Sequence, residues 1–593
     1  EREEMLRLDD DCSWKGDGDG EDEKKVEVGN GEEDEGLHRV RVSRNNEGSE
    51  EQISASSLAF SQTFKKMSKR LSRSVSRSLM RRSSSFSESL PDTPKGWLAL
   101  SCVTMSAILA HEVRLQKSLT KPPITFCQFP SGSFVEKIYK ELTVDPSDDR
   151  DKNTADSTTK ILSRLIHPSL FVGTRGMISS TAAYLGGGPS ASSKMNYMRF
   201  REIFSMSQDG AQIAVDWEVG QQRMVGGQRK IPHREAESIK RYVLKGLIRQ
   251  PVVIILHGIN NDSSFGYMKS LSRSFCNKGY ISASMNFRGC GGLELFTSRG
   301  YNAAYTGDLR SLVHQLSVRL ADSVSMFLVG NSLGANIMTK YLGEEGLAGT
   351  LPGCVSGAAS LGNPLLIDSG VVKFPINILM ALGVKKIFLE NIRKIHQMND
   401  KHSLEILRHG FLAPTIARFD NAIAPLMIRN NPYHPFETKI GYENGEDYWF
   451  DSSSYRYIRH VSVPFLNVTA QDDFLVSNPS RNKLGFCLAN PNVMIVETRC
   501  GGHLGWQETP PDSAFGACSW ADTATSDFFD AILKVNSSVS NSVKSLNQRN
   551  HPMGKSYFEK TDSSDLKTKP MDKNLQKMKA EALAYTRNNV SKL

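Results

Sequence analysis

From residue 196 onward the apolar side chains gather in short runs. Residues 252–256 (VVIIL), 280–287, 325–329, 464–468 and 493–498 are such runs, and short, mainly apolar runs of this kind read as buried strands. Between them, 267–276, 309–320, 335–342 and 519–535 carry apolar residues at helical spacing. Strand and helix in alternation predict a mostly parallel sheet with right-handed crossovers and helices on its faces. Residues 199–205 and 212–217 flank Gln208-Asp209-Gly210, a hairpin turn signal, so an antiparallel ribbon is expected to open the sheet. The expected fold class is α/β, with a mostly parallel eight-stranded sheet.

The alternation stops between 364 and 460, where helical and loop patterns run without an evident buried strand. This stretch reads as a helical cap inserted into the core, which the pattern divides into 196–363 and 461–536. Within the cap, 371–392 (VVKFPINILMALGVKKIFLENI) is rich in large apolar side chains; it lines an apolar groove, faces a membrane or packs the cap onto the core. Polar substitutions at Leu379 and Leu382 would test the groove.

The outer segments differ in texture. Residues 1–36 hold 16 acidic and 5 basic side chains, too little apolar surface to offset the entropy of ordering. Residues 65–82 hold eight basic side chains and no acidic one, with Phe64, Met67, Leu71, Val75 and Leu79 at helical spacing. Segment 1–95 is therefore expected to be disordered, with the basic part suited to an anionic membrane surface. The uncharged run 97–110, inside a segment 96–115, is 14 residues long. That is short of the roughly 20 needed to cross a bilayer, so a short interfacial or packed helix in contact with a membrane or the core is the expectation and a span the alternative. Residues 116–195 read as an extension and 537–593 as a polar tail; both termini are expected to be long and flexible.

Composition narrows the class. The chain has 593 residues, 39% hydrophobic and 23% charged, enough for a sizeable core. A mean hydropathy of -0.36 excludes a bundle of membrane spans. Nine Cys without any C-x-x-C indicate neither a disulfide framework nor a zinc ribbon, so an intracellular, reducing compartment is expected. The net charge of +9 is concentrated locally and lacks the interleaved aromatics of a nucleic-acid surface.

The chemistry sits after the strands. The run 325–329 leads into Gly330-Asn331-Ser332-Leu333-Gly334 and then a helical segment, a G-x-S-x-G nucleophile elbow in the strand-turn-helix context it requires. A serine hydroxyl needs a base to take its proton and a carboxylate to orient that base. His503, in Gly501-Gly502-His503-Leu504-Gly505 after the last strand, is the expected base. Asp473, after the run 464–468, is the expected acid, with Asp472 as the alternative. The oxyanion donors are expected to be the backbone N–H groups of Leu333 and Ile259, with Gly258 allowing the turn after 252–256. His257 shapes that turn. His257 to Asp262 also spells H-x-x-x-x-D, a spacing that arises readily by chance. No P-loop, G-x-G-x-x-G or H-E-x-x-H motif occurs, so neither a cofactor nor a metal is expected.

These residues resemble a known family, the YheT-like, embryogenesis-associated branch of the α/β-hydrolases, over about 197–533. The resemblance lies in Asp209-Gly210, Asp216-Trp217, the segment 286–292 (NFRGCGG), Gly307-Asp308, the segment 330–346 (GNSLGANIMTKYLGEEG), Arg418-Phe419-Asp420 and 501–505 (GGHLG). It implies an α/β-hydrolase fold, the triad Ser332, Asp473 and His503, hydrolysis of carboxylic esters such as acylglycerols or phospholipids, and an N-terminal membrane segment. Members often carry Pro after the paired aspartates, where this chain has Phe474. The expectation is a serine esterase or lipase working through an acyl-enzyme on Ser332. The alternatives are an acyltransferase using the same acyl-enzyme and a non-catalytic, membrane-associated lipid-binding scaffold.

Overall fold

The computed structural model describes residues 94–143, 160–186, 195–222, 233–372, 374–391, 401–431, 437–476, 487–509 and 518–549. The acidic segment 1–36, the basic segment 65–82 and the tail beyond 549 lie outside them. The chain divides into two units, Glu1–Ser101 and Cys102–Leu593; the sheet and the site belong to the second.

In chain order the main-sheet strands are β1 (Ile124–Cys127), β2 (Met195–Ser205), β3 (Gln212–Gln222), β4 (Val252–Leu256), β5 (Ile281–Asn286), β6 (Met326–Asn331), β7 (Val355–Leu361), β8 (Phe465–Ala470) and β9 (Val493–Thr498). The helices are α1 (Pro94–Leu119), α2 (Phe134–Leu142), α3 (Gly176–Leu185), α4 (His233–Lys245), α5 (Gly266–Asn277), α6 (Gly307–Ser317), α7 (Leu333–Ala348), α8 (Ile376–Glu390), α9 (Lys401–Leu412), α10 (Ile416–Ile423), α11 (Gly445–Ser452) and α12 (Trp520–Arg549). The spatial order is β1-β9-β8-β7-β6-β4-β5-β3-β2. From β9 across to β5 all neighbours are parallel. The antiparallel partners lie at the edges, β2 and β3 on one side and β1 on the other.

The unbroken run of β4 is explained by its two faces. Val252, Ile254 and Leu256 enter one apolar cluster with Leu312, Ile337 and Tyr341, while Val253 and Ile255 enter another with Met268, Phe275 and Phe529. Each face is covered by helices, so every position is apolar. β7 is different: its sequence, VSGAASL, buries small side chains, and a Cβ on Gly357 would meet Ile532 Cδ1 of α12 at 2.5 Å. Close helix packing replaces large side chains there, so no apolar run announces the strand.

The sheet has nine strands rather than eight. The added one, β1, comes from the stretch read as an extension and pairs Ile124–Cys127 with residues 494–497 of β9. The apolar run 97–110 is part of the longer α1, and among the described residues no helix is long and apolar enough to cross a membrane. Between β7 and β8 the chain forms α8 to α11 and a small ribbon, Ile428–Asn430 against Thr438–Ile440, and these lie over the C-terminal ends of the central strands.

Candidate active site

β6 carries the chain to Ser332, which takes φ 53° and ψ −116° before α7 begins. A non-glycine residue adopts this region only under local strain, and the surroundings enforce it. The N–H of Ser332 donates to Leu361 O at 2.8 Å, and Asn336 N–H to Ser332 O at 3.1 Å. A Cβ on Gly330 would run into the backbone of Ala335, and one on Gly334 would stand 2.5 Å from His257 O. Both glycines are therefore fixed by close approach of backbone to backbone.

His503 arrives on the loop after β9, and Asp473 on the loop after β8. Ser332 Oγ and His503 Nε2 are 2.8 Å apart, and His503 Nδ1 and Asp473 Oδ2 are 2.9 Å apart. Asp473 Oδ1 accepts from the N–H groups of Leu475 at 2.9 Å and Val476 at 3.1 Å. Burial works to raise the Asp473 carboxyl, but His503 and these two N–H donors outweigh it and hold the pKa below the ordinary value. Asp472 takes another role. Its Oδ1 accepts from Gly502 N–H at 2.7 Å, and burial pushes its carboxyl up. It braces the histidine loop and does not touch the imidazole.

Ile259 and Leu333 both line the space in front of Ser332. The N–H groups beside Ile259 are taken, that of Gly258 by Tyr267 Oη at 2.9 Å and that of Asn260 by Tyr301 Oη at 3.2 Å. Among the described residues the N–H of Ile259 itself has no partner. His257 is fully buried; its Nε2 accepts from Phe287 N–H at 3.1 Å and its Nδ1 faces Gly258 O at 2.7 Å. Burial pushes its pKa down to about 4, so it remains neutral and shapes the turn.

A cavity of about 120 Å³ opens at Ser332 beneath the cap. Its lining is mostly apolar, with Val371, Met380, Val384, Ile387 and Phe388 from the stretch 371–392. Leu379 and Leu382 are on the other side of α8, 51% and 56% exposed, so the two positions expected to test the groove lie on its outer face. Helical periodicity separates them from Met380 and Val384, but an all-apolar helix does not show which stripe turns inward.

The support that α3 gives to this loop carries no motif in the sequence. His503 N–H donates to Ser180 Oγ at 2.8 Å, and Ser180 Oγ–H donates to Gly176 O at 2.7 Å. Gln507 N–H donates to Ser179 Oγ at 3.2 Å. A Cβ on Gly502 would strike Gly176 O and Ser180 Oγ, so the small-residue helix GMISSTAAYL and the glycine-flanked histidine loop fit only each other. The small side chains of α3 were the one available signal.

A parallel sheet of this order, with a strained serine between β6 and α7 and histidine and aspartate on the loops after the last strands, defines an α/β-hydrolase. The family model for serine aminopeptidase, S33 (Hydrolase_4) matches residues 249–401. The embryogenesis-associated protein EMB8 of Picea glauca is 28% identical over 61% of this chain and 72% of its own length. A monoacylglycerol lipase of Saccharomyces cerevisiae is 31% identical over 43% of this chain and 55% of its own. Phospholipase ABHD3 of Bos taurus is 25% identical over 52% and 67%. The chain thus has the α/β-hydrolase fold and is similar in sequence to these proteins, matching between about half and three quarters of their length.

Proposed function

We propose that the protein hydrolyses lipid-like carboxylic esters, of the acylglycerol or phospholipid class, through an acyl-enzyme on Ser332. The observation that carries this reading is the Ser332–His503–Asp473 relay, 2.8 and 2.9 Å in its two steps, opening into an apolar cavity. The names of the yeast and bovine relatives add support for a lipid ester.

The steps follow from the positions. Ser332 Oγ attacks the ester carbonyl while His503 Nε2 takes its proton, and Asp473, held ionised, stabilises the imidazolium from Nδ1. The oxygen of the tetrahedral intermediate faces the N–H groups of Leu333 and Ile259. Their backbone positions are fixed before the reaction, so the developing charge is met without reorganisation. The proton passes from His503 to the leaving alcohol, water enters by the same relay, and the acid is released. The acyl chain lies along Val371, Met380, Val384 and Phe388.

Labelling with a fluorophosphonate tests the nucleophile without prejudging the substrate. Wild type is expected to label and Ser332→Ala to lose the label, together with hydrolysis of an ester panel graded by chain length. A folded wild-type protein that does not label would refute the reading. Membrane contact belongs to the same proposal: Val103, Met105, Ile108 and Leu109 of α1 are 47% to 66% exposed, an apolar surface suited to lipid. Flotation with liposomes should fall when these four positions are made polar.

A further inference from the structure

Arg418-Phe419-Asp420 is a sequence mark that the reaction leaves unused. Asp420, on α10, stands with Ile416, Phe419, Ile423, Met427 and Tyr448 in the lining of the cavity that Ser332 faces. Among the described residues it forms no ion pair. Arg288, the cation of that lining, is bound by Asp209 and Asp308, Lys385 donates to Ala413 O, and the Arg418 side chain is exposed. One hydrogen bond reaches the carboxyl, from Trp449 Nε1 to Oδ2 at 3.3 Å, long for such a bond. Oδ1 has no partner among the described residues and is not sealed by packing.

An apolar wall around a carboxyl disfavours its charged form and costs folding free energy. Carboxyls desolvated in this way in a cleft concentrate at functional sites. We propose that Asp420 is the polar anchor of the cavity, its Oδ1 taking a hydrogen bond from a free hydroxyl of the ester substrate. This inference rests on the ester-hydrolase reading above. A hydroxyl suits the site because it both donates and accepts. Burial pushes the Asp420 carboxyl up to about 7, and a hydroxyl can pair with either form, donating to the carboxylate or accepting from the acid. The hydroxyl can stand on the alcohol part, as in a partial ester of a polyol, or on the acyl chain. Both present the same donor to Oδ1.

The test is a ratio of kcat/KM values in the full-length protein. Glycerol monolaurate carries hydroxyls on its alcohol, methyl ω-hydroxylaurate carries one on its acyl chain, and methyl laurate carries none. In Asp420→Leu the preference for one of the hydroxylated esters over methyl laurate should fall by about tenfold or more, the size of a hydrogen bond to a charged group. Asp420→Asn, which preserves shape and the Trp449 bond, should lie between Leu and wild type and shows that the loss is not misfolding. A drop confined to glycerol monolaurate places the hydroxyl on the alcohol, and one confined to the ω-hydroxy ester places it on the acyl chain. Ratios unchanged within about twofold in both variants would overturn the assignment while leaving the hydrolase intact. Wild type that labels with the fluorophosphonate but cleaves none of the three esters would overturn this inference alone, and wild type that does neither would remove the hydrolase reading with it.

Discussion

Two adjacent carboxylates, Asp472 and Asp473, show how chemistry is divided at the scale of a residue. The loop after β8 turns one toward the imidazole and the other toward the backbone of the histidine loop. The same burial then has opposite outcomes: at Asp473 the imidazole and two N–H groups overcome it, and at Asp472, where no imidazole pairs with the carboxyl, burial outweighs the backbone N–H donors and the carboxyl is raised. Asp473→Asn keeps the shape but cannot hold His503 in the tautomer that accepts the serine proton. Hydrolysis and fluorophosphonate labelling should slow by about a thousandfold or more. Asp472→Asn retains an oxygen for Gly502 N–H and should lose about tenfold or less. The reverse ranking of the two rates would exchange their roles.

At the scale of elements, the site depends on a helix that belongs to neither the core pattern nor the cap. α3 holds His503 through Ser180, and α1 holds the entry to α3, since the buried Glu112 side chain bonds Arg175 and Thr174 just before that helix starts. Ser180→Ala leaves the His503 N–H without a partner in a crowded loop, at a cost of roughly 1–3 kcal/mol. Because the loop then drifts from Ser332, kcat should fall about tenfold with KM little changed, measured on any ester that the wild type cleaves. A fall in KM and kcat together would point to the cap instead. What could be read from the chain follows from how each element is stabilised. β4, β5, β6, β8 and β9 are covered on both faces and show as apolar runs, and the loops after them could be searched for serine, aspartate and histidine. β7, built from small residues, and β1, a four-residue edge with alternate positions exposed, carry no such run. Ser180 and Asp420 were equally silent in role, because a serine in a small-residue helix and an aspartate in an apolar one gain meaning only from what packs against them.

Across the whole molecule, the cap is tied to the nucleophile helix by a polar knot. Lys340 of α7 is fully buried, and its Nζ donates to Asp451 Oδ1 of α11 at 2.6 Å. Asp451 also accepts from Tyr457 Oη at 2.9 Å and, at Oδ2, from Tyr442 Oη at 2.8 Å. Asn336, four residues before Lys340, adds a bond from Nδ2 to Ser452 O at 2.7 Å. Cap and elbow therefore share one buried network, and its charge balance bears on the stability of both. Burial opposes the Asp451 charge, but Lys340 and the two tyrosines outweigh it and hold the carboxyl below its ordinary value. A carboxylate lowered on folding contributes stability that is present above its unfolded pKa of about 3.9 and fades as pH falls through the folded value. In Lys340→Met the counter-charge is gone and burial prevails, so the same carboxyl is raised and stability falls as pH rises. Urea unfolding should show the variant about 3 kcal/mol weaker near pH 7, with the deficit shrinking toward pH 4. Adding Asp451→Leu to Lys340→Met should recover much of the loss near pH 7, because the uncompensated charge is removed with its partner. A deficit that is constant with pH, and that the second substitution does not relieve, would assign Lys340 to packing rather than to charge balance.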